Sequence, residues 1–218
     1  MGQFPLDKPL DPLLEHPAIW RGRSLARTAT HSTGWSHLDE ALPGGGWPAA
    51  GLIELLTPRP GLGELRLLIP LLAHLAQAVP ARWVAWVSPP FEPYAPALQA
   101  QGVPPEHQLV IRTREPLWAL EQAIESGACA TVLGWPGRTS WAALRRLQVA
   151  TQRRLTPAFL FREEREASRP SPAMLRIAVA ACAQGAQLTL LKSRGGERLP
   201  FTVSWSMSPF GVEEHGAS

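Results

Sequence analysis

Cysteine is scarce in this sequence. The 218-residue chain has only two, Cys129 and Cys182, and both stand in apolar surroundings far from each other. They form neither the spacing of a zinc site nor a disulfide framework. We therefore expect two reduced thiols in the core of a cytosolic protein, and no metal site.

Long apolar runs and targeting signals are also missing. The longest apolar stretch, residues 65–79, contains Arg66 and His74 and stops at Pro80. A transmembrane helix needs about 20 apolar residues, so this stretch is too short and too polar to cross a bilayer. The N-terminus has no basic segment followed by an apolar one, so a secretory signal is not predicted. These features disfavour a secreted or membrane protein.

Charge is limited as well. Charged residues make up 18% of the chain and hydrophobic residues 45%, which indicates a folded core and not a disordered chain. The net charge of +3 permits an anionic partner without requiring one. The length suits one domain.

The sequence does contain 23 prolines, mostly between periodic segments. Short apolar runs such as 51–56, 83–87, 129–133 and 158–161 alternate with segments of helical composition. This alternation predicts an α/β fold with a mainly parallel sheet. Residues 1–30 are Pro-rich and then basic, which indicates an N-terminal arm. We expect the folded domain over 31–208 and a flexible tail over 209–218.

A glycine-rich loop follows the first predicted strand. It consists of Pro60, Gly61, Leu62, Gly63, Glu64, Leu65 and Arg66. A phosphate-binding loop needs a Lys and a Ser or Thr where this chain has Glu64 and Leu65. A carboxylate repels phosphate, and leucine does not bind magnesium. The sequence therefore favours a structural turn, with Arg66 in place of the Lys as the alternative.

Several further segments occur in a fixed order around this loop. They include WRG at 20–22, ALPGGGWP at 41–48, GLGELR at 61–66, WVAWV at 83–87, LWALEQA at 117–123 and LRRLQ at 144–148. Over about residues 17–196 this order resembles a RecA-type ATPase core. It is most similar to ImuA, a family of small RecA-like accessory proteins of bacterial translesion synthesis that is related to the cell-division inhibitor SulA.

The chain departs from active RecA-type ATPases at two more places. The strand at 131–134 should end in a magnesium-binding Asp but is followed by Trp135 and Pro136. The strand at 83–87 should precede a catalytic Glu but is followed by Ser88, with Glu92 nearby in a shifted register. Phosphoryl transfer depends on positioning and charge stabilisation by these groups. We therefore expect no catalytic residues, no bound cofactor and no ATP binding.

The resemblance implies a RecA-like, three-layer P-loop sandwich with a mainly parallel sheet and a degenerate nucleotide site. It also implies an accessory role in SOS-induced translesion synthesis, through contacts between proteins. The implied partners are an ImuB-like inactive Y-family polymerase, an error-prone replicative-type polymerase and RecA, with DNA met only indirectly.

Candidate contact residues come from basic and aromatic positions. A predicted helix carries Arg145, Arg146, Arg153 and Arg154, which suit an acidic partner or a nucleic-acid backbone, or form a solvated outer face. A basic turn contains Lys192 and Arg194. Trp20 and Trp47, and also Trp35, stand in polar or turn contexts and are interface candidates. The charged run 162–166 is predicted as a solvated loop, or as a segment ordered by a partner.

Three other functions remain open at this point. The first is a SulA-like inhibitor that binds the tubulin-like division protein FtsZ. The second is a divergent DNA-dependent ATPase that uses Arg66 and Glu92. The third is a direct DNA-binding module, whose affinity would depend steeply on salt.

Overall fold

The computed structural model describes residues 29–78, 80–193 and 200–204. The strands in these ranges are β1 (Thr30–His31), β2 (Trp47–Pro48), β3 (Gly51–Thr57), β4 (Trp83–Val87), β5 (Gln108–Ile111), β6 (Cys129–Gly134), β7 (Pro157–Glu163), β8 (Leu175–Cys182), β9 (Gly185–Lys192) and β10 (Pro200–Ser204). The helices are α1 (Ser36–Ala41), α2 (Ile69–Ala76), α3 (Ala95–Ala100), α4 (Pro116–Glu125) and α5 (Trp141–Arg154), with 3-10 turns at Pro105–His107 and Glu164–Ser168. The predicted tail at 209–218, almost all of the predicted arm, Trp20 and Arg194 lie outside the described residues.

Eight strands form one sheet in the order β10-β9-β8-β3-β7-β6-β4-β5, while β1 and β2 form a separate pair. The pairings from β8 to β5 are parallel. The pairings of β8 with β9 and of β9 with β10 are antiparallel. The sheet is therefore mixed, with β3 near its centre.

Side chains alternate between the two faces of the sheet, as the strand geometry requires. Ile53 and Leu55 of β3 join Phe159 of β7 in one hydrophobic cluster, which is covered by α1 and α2. Leu52 and Leu160 point to the other face and pack with residues of α4 and α5. Every residue of β3 is buried, because both faces are covered there.

Among the described residues, the helix layer formed by α4 and α5 does not extend over β8, β9 and β10. Along β9, Ala186, Leu188 and Leu190 are buried against the first face, whereas Gln187 between them is exposed. Ala180 of β8 is likewise exposed on the second face. Within the described residues, this part of the sheet therefore has helices on its first face only.

The RecA-like, three-layer P-loop sandwich that the sequence resemblance implied is wrong. The sheet is mixed, the third layer is incomplete in the part of the chain that the structure describes, and α1 and α3 have only six residues each. The loop after β3 does not lead into a helix N-terminus, since α2 begins at Ile69 after a run of turn residues at 64–68. The error arose because the strand–helix alternation ends at β7, and a tight turn after β8 imposes an antiparallel hairpin.

Some local expectations are also settled. Pro70 lies in the first turn of α2, where its missing N–H costs no helical hydrogen bond. Residues 173–183 contain β8. Cys129 is buried as expected, and burial raises the pKa of its thiol, but Cys182 is exposed at the end of β8 and is not a core thiol.

Within the described ranges, no helix has the length and apolar character that spanning a membrane requires.

A buried ion-pair network joins the centre of the sheet. The Glu54 carboxylate accepts hydrogen bonds from Arg162 Nη1 at 3.0 Å and Arg176 Nε at 2.6 Å, and from Ser171 Oγ at 2.9 Å. Arg162 Nη2 also donates to Glu166 Oε2 at 2.8 Å. The two carboxylates and two guanidinium groups balance in charge, which is what makes their burial tolerable.

We expect Glu54→Gln to destabilise the protein by about 3–5 kcal/mol, because it leaves two buried guanidinium groups without their shared anion. The matched control is Glu121→Gln, which breaks the surface pair with Arg146 and should cost about 0–1 kcal/mol. Urea denaturation measures both values. Equal losses in the two variants would contradict a special role for the network.

Candidate functional site

The carboxylate of Glu64 occupies the glycine-rich loop. Its Oε1 accepts a hydrogen bond from the backbone N–H of Gly61 at 2.7 Å, and its Oε2 accepts one from the N–H of Leu62, also at 2.7 Å. Glu64 is only 3% exposed. The chain thus supplies its own anion at the backbone donors that a phosphate-binding loop offers to a ligand.

The glycines in this loop serve the turn itself. Gly61 has a φ of +86° and Gly63 a φ of +95°, a region that other residues rarely adopt. A Cβ added to Gly61 would meet no atom within 4 Å, so space for a ligand is not the reason for glycine there. Arg66, the proposed substitute for the phosphate-binding Lys, is exposed and does not line the neighbouring pocket.

An aromatic stack lies after β6, at the position where an active RecA-type ATPase has a magnesium-binding Asp. Trp135 follows β6, and its ring lies parallel to Phe161 with centroids 4.3 Å apart. The ring of Trp86 is also nearly parallel to that of Trp135, with centroids 6.2 Å apart and an inclination of 9°. Flat stacking of this kind buries apolar surface and fixes the ring positions. The position is therefore filled by packing and offers no metal ligand.

The residues after β4 do not form a catalytic base either. Ser88 has a φ of +53°, and its N–H donates to Ile111 O at 2.8 Å while its Oγ donates to Thr113 O at 3.3 Å. Glu92 is exposed and forms an ion pair with Arg112. The alternative catalytic pair, Arg66 and Glu92, is therefore not brought together at the pocket.

A pocket of about 290 Å³ opens where β3, β4, β6 and β7 reach their carboxyl ends. The Trp135–Phe161 stack contributes an apolar wall, and the loop carrying Glu64 contributes another side. Arg162 also lines the pocket, and its Nε is buried with no hydrogen-bond partner among the described residues. The carboxyl edge of parallel strands is the usual position of ligand sites in open α/β sheets.

Around this pocket the carboxylates have hydrogen-bond or ion-pair partners, whereas two of the arginines have no ion pair among the described residues. Glu64 binds backbone N–H groups, Glu166 pairs with Arg162, and Glu163 pairs with Arg165 outside the pocket. Arg59 and Arg138 are exposed at the rim, and neither has an ion pair within the described part of the chain. The unpaired charge at the rim is therefore positive.

Exposed aromatic side chains surround the same edge. Phe91 is 67% exposed and Tyr94 is 71% exposed, and both follow the pocket residue Pro90. Trp118 and Trp141, in the first turns of α4 and α5, are also more than half exposed. Large apolar side chains gathered at one edge are typical of a surface that binds another protein.

The predicted basic helix is α5, but most of its arginines pair with α4. Arg153 and Arg154 both bind Glu125, and these hydrogen bonds lower the pKa of the Glu125 carboxyl. Arg146 lies 3.5 Å from Glu121. Arg145 alone of the four predicted residues is exposed without an ion pair among the described residues. These four residues lie on the helix and are not brought to the pocket.

Two other candidate positions need correction. Trp47 is fully buried and packs edge-to-face on Phe159 at 5.3 Å, and Trp35 is only 5% exposed, so neither presents a surface to a partner. Both tryptophans lie beside glycine turns in the sequence, which made them look exposed. Lys192 is exposed at the end of β9, and its Nζ donates to Ser171 O at 2.7 Å.

The prediction of a solvated loop at 162–166 is wrong at both ends of the run. Arg162 and Glu166 are buried in the ion-pair network, while the residues between them are exposed. The sequence analysis also missed Arg59 and Arg138 as site residues. The available signal was their position directly after β3 and β6, because neighbouring parallel strands end at one edge of the sheet.

Comparison with known proteins finds similarity to SulA. Residues 53–156 match the family model described as "Cell division inhibitor SulA". The chain is 36% identical to the cell division inhibitor SulA of Edwardsiella piscicida over 89 residues, which are 39% of this chain and 52% of that protein. The chain thus spans about half the length of the curated relative that it matches.

One solved structure is also similar, that of SulA from Pseudomonas aeruginosa. It is 26% identical, with a TM-score of 0.42, and the match covers 51% of this chain and 97% of that one. Residues 53–156 are therefore similar to SulA, the P-loop NTPase assignment is not supported, and ImuA in particular is not confirmed.

We expect Glu64→Ala to destabilise the protein by about 1–3 kcal/mol, because the partly buried N–H groups of Gly61 and Leu62 lose their charged acceptor. Hydrogen exchange at the Gly61 and Leu62 amides should become faster at the same time. The control is Glu106→Ala, which removes an exposed carboxylate and should leave both measurements unchanged. Unaltered exchange at Gly61 and Leu62 in the Glu64 variant would contradict the closure of the loop by this side chain.

Proposed function

We propose that this protein is a SulA-like inhibitor of cell division that binds the division protein FtsZ. The observation that carries the proposal is the match of residues 53–156 to the SulA family model. The matched region includes the ends of β3, β4 and β6, which form three of the four strand ends around the pocket. The protein acts through contacts, without catalysis and without a bound cofactor.

The geometry supports contact in preference to chemistry. The N–H groups of the glycine-rich loop are already bound to Glu64. Trp135 packs against two aromatic rings at the position where a metal ligand would stand. Phosphoryl transfer relies on a phosphate clamp and a bound metal at these two places.

The aromatic carboxyl edge is the surface that we assign to FtsZ. Phe91 and Tyr94 expose most of their side chains beside the pocket. Aromatic side chains of this kind contribute a large share of the binding free energy at protein interfaces. Both residues lie within the part of the chain that matches SulA.

We expect the wild-type protein to inhibit FtsZ polymerisation, as measured by sedimentation and light scattering. The double variant Phe91→Ala and Tyr94→Ala should weaken inhibition at least about tenfold, because it removes two exposed aromatic anchors. The matched control is Trp83→Ala. Trp83 is an aromatic residue that is 42% exposed at the amino end of β4, on the opposite edge, so this variant should inhibit like the wild type.

Circular dichroism checks that each variant remains folded. If the wild-type protein leaves FtsZ assembly unchanged, the division-inhibitor proposal is wrong. If the two variants weaken inhibition equally, the protein binds FtsZ but not through the edge that we assign.

We also expect neither saturable ATP binding nor magnesium-dependent hydrolysis, with or without single-stranded DNA. Isothermal titration and a phosphate-release assay measure these properties. Hydrolysis by the wild type that disappears in Arg66→Ala would overturn the non-catalytic proposal and favour the divergent ATPase instead.

A second candidate function is the translesion accessory role of the ImuA family. It is favoured by the strands β8, β9 and β10, which extend the sheet beyond the residues that match SulA. In this case the protein would leave FtsZ assembly unaffected and would bind an inactive Y-family polymerase in a pull-down of purified proteins. Both candidate functions belong to the SOS response to DNA damage.

A further inference from the structure

The pocket at the carboxyl edge has a feature that neither the family match nor the sequence resemblance assigns. It combines a rigid apolar wall with positive charge that the described chain does not neutralise. Trp135 and Phe161 form the wall, and the guanidinium of Arg162 is held in place by Glu54 and Glu166. The geometry therefore offers a fixed socket in which side chains are already positioned before a ligand arrives.

The charge balance decides which ligand fits the socket. The ion-pair network of Glu54, Arg162, Glu166 and Arg176 is neutral as a whole, and Glu64 keeps its negative charge while bound to backbone N–H groups. Arg59 and Arg138 at the rim carry two positive charges, which exceed the single negative charge of Glu64, and neither has a carboxylate partner in the described ranges. Arginine forms two parallel hydrogen bonds with a carboxylate, so an acidic group is the complementary ligand.

A buried hydrogen-bond donor of Arg162 also favours an acidic ligand. Arg162 Nε has no hydrogen-bond partner among the described residues, although the side chain is only 1% exposed. An unsatisfied buried donor on a charged group is costly, and nearby negative charge reduces that cost. The pocket volume of about 290 Å³ lies at the small end of the range for ligand pockets, which suits a single side chain.

We propose that this pocket receives an acidic side chain of the partner protein, with Arg59 and Arg138 binding the carboxylate and the Trp135–Phe161 wall contacting its methylene groups. Phe91 and Tyr94 then contact the surface around that acidic residue. This inference rests on the proposed function for the identity of the partner, FtsZ. It adds the place within the assigned edge at which an acidic side chain of FtsZ would bind.

The first test measures the socket without FtsZ. Fluorescence anisotropy follows the binding of a labelled hexaglutamate peptide to the full-length protein, with a hexaglutamine peptide as the neutral probe. Hexaglutamate should bind saturably, and Arg138→Ala or Arg59→Ala should weaken it about tenfold. Arg145→Ala is the matched control, since it removes an exposed and unpaired arginine of α5 and should leave the affinity unchanged.

The second test uses FtsZ. Arg138→Glu should raise the concentration needed for half-maximal inhibition of polymerisation at least about tenfold, whereas Arg145→Glu should leave it near the wild-type value. If Arg138→Glu and Arg145→Glu weaken inhibition equally, or if neither weakens it, the socket is not the point at which FtsZ is recognised. All three substituted positions are exposed arginines, so folding should be retained and circular dichroism verifies it.

The two proposals fail in different ways. Absence of FtsZ inhibition by the wild type rejects the proposed function, and the peptide titration then decides the socket alone. Saturable hexaglutamate binding that depends on Arg138 and not on Arg145 supports the socket. Binding that all three arginines affect equally is general attraction to a basic protein, and it overturns the socket.

Discussion

The buried carboxylate of Glu54 is the constraint on which the centre of this structure depends. It lies on β3, in the middle of the sheet, and binds Arg162 of β7 and Arg176 of β8. Glu54 is the anion that these two buried cations share across the three strands, so the register of the strands is coupled to it. The network also spans the junction where the parallel part of the sheet meets the antiparallel part. It thereby holds Arg162 at the pocket.

The loop after β3 shows how a phosphate-loop pattern can have a different purpose. Glycines give the loop its left-handed turns, and the carboxylate of Glu64 then binds the backbone N–H groups that the turns expose. The same carboxyl edge also carries the Trp86–Trp135–Phe161 stack. An edge that is closed by its own carboxylate and aromatic rings is held in one conformation, which lowers the entropic cost of binding a partner.

The residues that match SulA include the exposed aromatic side chains and the rim arginines at the carboxyl edge of the sheet. The matched residues, 53–156, contain most of β3 and all of the chain from α2 to α5. The exposed aromatics and the unpaired arginines at the pocket rim lie in this range. Outside this range, β7 lies between β3 and β6, while β8, β9 and β10 extend the sheet on the opposite side of β3, where none of the described helices covers the second face. A contact surface on one side and an added hairpin on the other are therefore separate features of the chain.

The sequence by itself determined the local elements. Continuous apolar runs identified β3, β4, β6 and β7, because these depend on neighbours in the chain. The replacement of Lys by Glu64 was also visible. Only the tertiary structure decided that the sheet is mixed, that Trp47 is buried, and that Arg162 and Glu166 are paired inside. Pairing across strands and shared burial join residues about 100 positions apart, as for Glu54 and Arg162, so no local pattern contains them.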